Sequence, residues 1–535
     1  MARPDPRQAP RHSRPADRPK AARRPAVVAL LAGAVAALHV PGDAGAEEIR
    51  LHDVEAGVVL PMDTTEFRLG SRQAGTGSLA GTGLQVYEGA VARRGQGPWQ
   101  LGARFSVYDD PPPRPVGGSL ANMSIIAVGV DAKREIGRSG NLSWAVAGSI
   151  EGLRYSTAAT GTVPAGANSD FLVGSVHLPA SVRFSPALTA YFDPYIAFLP
   201  QDFPAGPGFG TNGFLGAGAA WRAAPVLSFY AEAHVPVAGR GNTLNAAGAV
   251  TRATAWTVGA RLRVAPAADL DIHASNRVAG TLATSGLVLP PGGDKAMVGV
   301  TLVYRPGQGR DTAGPRLVGS GPRPLQGLML RSGAILPQGT RRIAFAAGTR
   351  GTGSASLALV PDPGLQFDAI LEKHATAAPG GGVVAPEIDT RYMLGGRLQL
   401  AAGGARPVWL AAGILAGRDI RKPTVGVIYA ETTASVSLSR RLSATVQAHG
   451  AAWGGADVLG LGMGLGAAVT DALSLHAEAS VNGDVADTWA LGLRWRGGQG
   501  LAATAAVTNA IGLHGHGTLL AGTGPRVVLG FEKSL

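Results

Sequence analysis

The sequence predicts an all-β, antiparallel transmembrane β-barrel architecture that is internally duplicated. Three observations carry this prediction: side chains alternate in polarity over many windows, tight turns alternate with long loops, and matched segments recur in order in two halves.

The alternation is explicit in several windows. Trp256, Val258, Ala260 and Leu262 share one face, and Thr257, Gly259, Arg261 and Arg263 the other. Trp489, Leu491, Leu493 and Trp495 oppose Ala490, Gly492, Arg494 and Arg496 in the same way. Leu101, Ala103, Phe105 and Val107 oppose Gly102, Arg104, Ser106 and Tyr108, while Leu142, Trp144, Val146 and Ile150 oppose Ser143, Ala145, Ser149 and Glu151. A period of two places one apolar set on one side of a strand, and helical periodicity fits these windows badly.

Tight hairpins are expected at Arg183–Leu188, Arg222–Leu227, Val264–Ala268, Leu438–Leu442 and Val469–Leu473, where short polar or Pro-containing turns join alternating segments. Longer connections rich in Gly, Pro and Asn lie between them, at 109–118, 158–169, 201–212, 239–247 and 283–294. Short turns on one side and long loops on the other are the habit of membrane barrels.

The duplication shows in matched words. Gly57-Val58-Val59-Leu60-Pro61 answers Gly333-Ala334-Ile335-Leu336-Pro337, and at the same offset Gly75-Thr76-Gly77-Ser78 answers Gly351-Thr352-Gly353-Ser354. Gly83–Glu88 pairs with Gly364–Asp368, Leu227–Ala233 with Leu473–Ala479, and the two Trp-led strands with each other. Ser275-Asn276 then pairs with Thr508-Asn509, and Met297–Val300 with Val528–Phe531. The expected layout is a signal peptide over 1–46, a barrel repeat over 47–305, a Gly, Pro and Arg-rich linker over 306–324, and a second repeat over 325–535. Each repeat holds about a dozen candidate strands, which allows two tandem barrels or one large barrel. The linker favours two.

The leader reads as an export signal, with a basic stretch ending at Arg23-Arg24, an apolar run from Pro25 to Val40, and Ala44-Gly45-Ala46 suited to cleavage. That run falls short of the ~20 residues a helix needs to span a membrane. Formal net charge is +12, but eight Arg or Lys against three Asp fall in 1–46, leaving a diffuse surplus on the rest. Nucleic acid, which needs clustered basic residues, is therefore not an expected partner. Cysteine is absent, which excludes disulfides, thiolate metal sites and cysteine nucleophiles.

With its signal segment, alternating strands and turn lengths, the chain resembles Gram-negative outer-membrane β-barrel proteins as a class. Its last strand, with Val527, Leu529, Phe531 and Leu535 in register and Lys533 interrupting that apolar set, is similar to their assembly signal, although it ends on Leu and not Phe. The resemblance implies outer-membrane lipid and the barrel assembly machinery as partners. The Gly, apolar and Pro word that opens each half is also similar to outer-membrane proteins of exopolysaccharide export, but it is too short to carry any residue over.

Arg104, Glu232, Arg261, Arg263, Glu478, Arg494 and Arg496 are the candidate lumen-lining residues, because each falls opposite an apolar face, where lipid would penalise charge by about 2–4 kcal/mol. Ser228, Tyr230, Glu232 and His234 share a face, as do Ser474, His476, Glu478 and Ser480, so a ladder of Glu and Arg across neighbouring strands is expected in each repeat. Such a lumen would suit anionic or sugar-like solutes; it could equally just neutralise and fill a narrow interior. Asp269, Asp271 and His273 alternate onto one face, but the second repeat has Ala502, Thr504 and Ala506 there, so no metal site is assigned. His514 and His516 read as loop polarity, and the glycine runs 75–83 and 460–466 lack the Lys and the helix of a phosphate loop. No catalytic residue and no cofactor is assigned. The expected function is an outer-membrane channel or envelope-export component, against a structural or adhesive envelope protein or a secreted soluble β-sheet protein.

Overall fold

The computed structural model describes residues 51–74, 84–110, 112–118, 123–157, 169–203, 206–265, 267–306, 322–375, 377, 390–402, 408–419, 426–453 and 456–535. The expected signal peptide, most of the linker and the Gly75–Ser78 word lie outside the described residues.

Two closed antiparallel barrels are formed, one from each half, each with twelve strand positions. In the N-terminal barrel the strands follow chain order from Thr64–Ala74 to Met297–Tyr304, and the first pairs with the last, Phe67 opposite Tyr304. Its sixth position is interrupted at Leu178-Pro179, and both pieces, Ser169–His177 and Ala180–Arg183, pair with the same two neighbours. Proline has no N–H to give a ladder, which accounts for the break. The C-terminal barrel runs from Arg341–Gly348 to Ala521–Ser534 and closes with Phe345 opposite Phe531. A single barrel of two dozen strands is thereby excluded.

All five predicted hairpins are turns between adjacent strands. The matched words that fall on described strands occupy equivalent strands with one exception. Gly83–Glu88 enters the second strand of its barrel, whereas Gly364–Asp368 enters the third of its own. The true counterpart of Leu365-Gln366 is Trp99-Gln100, at the start of the Trp99–Asp110 strand. A short Gly-Leu-Gln word was matched by composition, and strand order overrules it.

Outward faces are apolar around both barrels: Val128, Val130, Ile150, Leu172, Phe192 and Val258 on one, Phe345, Leu394, Met463, Leu491 and Leu529 on the other, all exposed. Exposed apolar side chains on nearly every strand form a band far beyond what water tolerates on a monomer, and one that lipid accepts. The band is interrupted where the barrels touch. There Leu262, Val264, Ala268 and Tyr304 pack with Leu365 and Leu398, Tyr87 Oη donates to Gly417 O at 3.2 Å, and the Arg418 guanidinium lies over the Tyr87 ring.

Candidate functional site

Neither barrel interior is empty. At the short-turn end, the segment preceding the first strand enters the lumen: residues 51–60 in the N-terminal barrel and 325–336 in the C-terminal one. Leu51, His52, Asp53, Val54, Val58, Val59 and Leu60 are buried, as are Met329, Leu330, Ser332, Ala334 and Ile335. These plugs have no ladder of their own, so their backbone groups need partners from the wall.

The wall supplies them at matched positions. Glu232 accepts from Asp53 N at 3.0 Å and Val54 N at 3.0 Å. Glu478 accepts from Leu328 N at 2.6 Å and from Met329 N and Leu330 N at 2.7 Å. Ser181 Oγ accepts from Gly57 N at 2.7 Å, and Ser435 Oγ from Gly333 N at 2.8 Å. Gln100 Oε1 accepts from Leu60 N at 2.9 Å, and Gln366 Oε1 from Leu336 N at 3.2 Å. The repeated glycine is explained by closeness: a Cβ on Gly57 would collide with the Ser143 carbonyl oxygen, and one on Gly333 with that of Trp409.

Side-chain charge differs between the plugs. Glu55 is held by Arg104 Nη2 at 2.7 Å and Lys133 Nζ at 2.8 Å. At the corresponding place Arg331 reaches Asp368 Oδ2 at 2.6 Å and Glu431 Oε1 at 3.6 Å. Burial opposes charge on both, yet Lys133 and Arg104 hold the Glu55 carboxyl well below the usual range, and Asp368 and Glu431 hold the Arg331 guanidinium above its own.

The long-loop end is closed differently. Residues 276–296 fold inward, placing Val278, Ala279, Ala283, Leu287 and Leu289 against Tyr108, Ile125, Tyr195 and Phe214. In the other barrel Ile511, Leu519 and Leu520 meet Ile370, Met393, Leu415 and Tyr429, and His516 Nε2 pairs with Arg391 Nη1 at 2.8 Å. Thus His514 and His516 belong to a buried inward loop. In the N-terminal barrel plug and loop meet, through an ion pair of Asp53 with Arg277.

The predicted Glu and Arg ladder does not form. Register places Glu232 opposite Thr257 and Ser228 opposite Arg261, and likewise Glu478 opposite Ala490 and Ser474 opposite Arg494. Both glutamates turn to the plugs instead. Arg261 pairs with Asp271 Oδ2 at 2.7 Å, Arg263 with Asp269 Oδ1 at 3.3 Å, and Arg494 with Glu532. Arg104 bridges Glu55 and Asp131, and Arg496 is exposed at the end of its strand, opposite Ala502. Sequence reasoning missed the plugs themselves. Their signal was the Gly57–Pro61 and Gly333–Pro337 words, which precede the first strand of each half and do not alternate.

Closed antiparallel barrels with apolar outer faces give the chain a fold that resembles those of outer-membrane β-barrel proteins. No family model and no curated protein matches it. Among solved structures it is similar to a KdgM porin in complex with disordered oligogalacturonate (7% identity, TM-score 0.28, 37% of this chain and 99% of that chain). It is also similar to a NanC porin (11%, 0.28, 45% and 98%) and to the copper transporter OprC (12%, 0.21, 89% and 81%). Likeness of this size shows no shared activity, and the strand pairing alone carries the fold.

Proposed function

We propose that this chain resides in the outer membrane as a pair of gated passages, each lumen closed by its own N-terminal plug. The apolar outer band supports membrane residence, with lipid as its surroundings and the barrel assembly machinery as the route of insertion. The observation that carries the gating is how the plugs are held. Their anchors at Glu232, Ser181 and Gln100, and at Glu478, Ser435 and Gln366, are hydrogen bonds to side chains of the wall. Bonds of this kind can be exchanged for water or a hydroxyl-rich solute, so withdrawal is opposed mainly by the small apolar contacts of the plugs, Leu51, Val54 and Val58 against Tyr191 and Tyr230, and Met329 and Leu330 against Ala490 and Ala510. The interior charges, paired here, would meet anionic or sugar-like cargo once a plug withdraws, as in a channel or an envelope-export component.

A second reading, closed structural barrels acting through their loops, is favoured by one observation: the inward loops seal the long-loop ends with apolar clusters. Planar-bilayer conductance decides between the two. Chains lacking 51–60, 325–336 or both are first shown to be folded by a heat-dependent gel shift. Conductance stepping up with each deletion supports gated passage. Folded, inserted and silent deletion variants would sink it and leave the structural reading.

A further inference from the structure

The tip of the N-terminal plug gathers side chains that neither barrel closure nor passage requires. His52 on the plug, Glu88 on the Leu84–Arg94 strand and His273 on the Ala268–Ser275 strand are buried, and each offers a ligand atom within 4.8 Å of the other two. His52 Nε2 lies 2.8 Å from Glu88 Oε1, the two imidazole centroids are 4.2 Å apart, and Glu88 turns its other oxygen to Arg72 Nη2 at 2.7 Å. His273 is only 2% exposed, yet neither of its ring nitrogens makes a hydrogen bond. An unpartnered buried imidazole is costly unless something else satisfies it. Gly299 keeps room beside its Nε2, since a Cβ there would stand 2.6 Å from that nitrogen. Behind the rings, Asp271 sets Oδ1 3.4 Å from His273 Nδ1 and Oδ2 3.9 Å from His52 Nδ1. A carboxylate so placed is close enough to orient imidazoles whose far nitrogens bind metal once they turn inward.

We propose that His52, His273 and Glu88 bind a divalent transition ion of the zinc type, pinning the plug tip to two strands of the wall. Two imidazoles and a carboxylate are a common zinc donor set, with ligand atoms about 2.0–2.2 Å from the ion. The three ligand atoms, all within 4.8 Å of one another, shift about the ion to reach that geometry. Arg72 and Arg261 already balance Glu88 and Asp271, so affinity comes from the ligand bonds and not from a surplus of negative charge. Uptake displaces the proton shared by His52 Nε2 and Glu88 to solvent. The C-terminal barrel carries Leu328 and Ala506 where this one has His52 and His273, so the pin belongs to one plug alone.

The test uses the full chain in detergent, stripped with EDTA and titrated with Zn2+ by calorimetry, beside His52→Ala and His273→Ala. A single saturable site is expected in the native chain. Each variant should weaken it beyond the roughly 10- to 100-fold that losing an outer-shell partner costs. Because the chain has no cysteine, single cysteines from Ala56→Cys and Ser332→Cys report plug exposure through maleimide labelling. Zn2+ should slow the first and leave the second unchanged. Heat-dependent gel shift verifies folding, and His273→Gln replaces any variant that fails it. No saturable binding, undiminished binding in the variants, or equal slowing at both plugs overturns the proposal. Binding and labelling are read without conductance, so this result stands apart from the gating test.

Discussion

The two barrels of this chain close their lumens with the same backbone device and opposite side-chain charge. Glu232 and Glu478 take plug N–H groups at matched positions, whereas Glu55 in one plug stands where Arg331 stands in the other. What the two barrels share is the geometry that satisfies a strandless backbone. What differs is the sign of the charge, which a wall can match from several strands: Arg104 and Lys133 in one case, Asp368 and Glu431 in the other.

The sharpest test of the shared device is removal of its carboxylate. Glu478→Ala orphans three N–H groups and Glu232→Ala two, at about 1–3 kcal/mol for each unsatisfied group. Labelling of the matched cysteines at Ser332 and Ala56 should accelerate strongly in both, more in the C-terminal plug. Unchanged labelling in either would break the equivalence.

Next comes the inverted charge. Glu55→Ala removes the carboxylate that Arg104 and Lys133 share and leaves both cations beside the single Asp131 carboxylate, 3.0 Å from Arg104 Nε, a loss of about 3–5 kcal/mol for a broken buried pair. Arg331→Ala should cost less, about 1–3 kcal/mol, because Glu431 keeps Arg397 at 2.7 Å and Asp368 keeps Gln366. Denaturant midpoints of the heat-modifiable form measure both, and a reversed order would contradict the contacts.

Acid sharpens the comparison further. The Glu55 carboxyl is held below its unfolded value, so its contribution is fully present above that value and is lost only as pH falls through the depressed one. Labelling at Ala56→Cys, taken relative to a free thiol at the same pH to remove the thiolate's own titration, should therefore stay flat from neutrality down to about pH 5 and rise only in stronger acid. An increase already at mildly acidic pH would show that Glu55 is not the holding charge. The smallest effect is expected outside the lumen, where Arg154 and Asp170 pair in full exposure. Arg154→Ala should leave the gel shift and both labelling rates unchanged.

The barrel walls were legible in the sequence because lipid on one side and a polar interior on the other force a period of two, as at Trp489–Arg496. The number of barrels was less so, since twenty-four strands close equally well in one ring or two, and only pairing such as Phe67 with Tyr304 decides. The plugs were hidden for a different reason. Residues 51–60 take no strand partner, and their backbone N–H groups find acceptors on wall residues 40 to 179 positions away in sequence. The inward-facing glutamates could be placed on a face by parity, but their partners could not: a carboxylate opposite a neutral strand position seeks whatever donor enters the lumen.

The opposed charges at Glu55 and Arg331 also bear on how such a chain reaches its final form. Were both barrels to close before their plugs seat, the shared backbone anchors alone would let either plug enter either barrel. With Glu55 in the C-terminal barrel, an acid would sit beside Asp368 and Glu431, and Arg331 in the other would meet Arg104 and Lys133. Repulsion of like charges in a desolvated setting makes the crossed arrangement unfavourable, so the inversion acts as a code of self-recognition that guards the chain against misthreading.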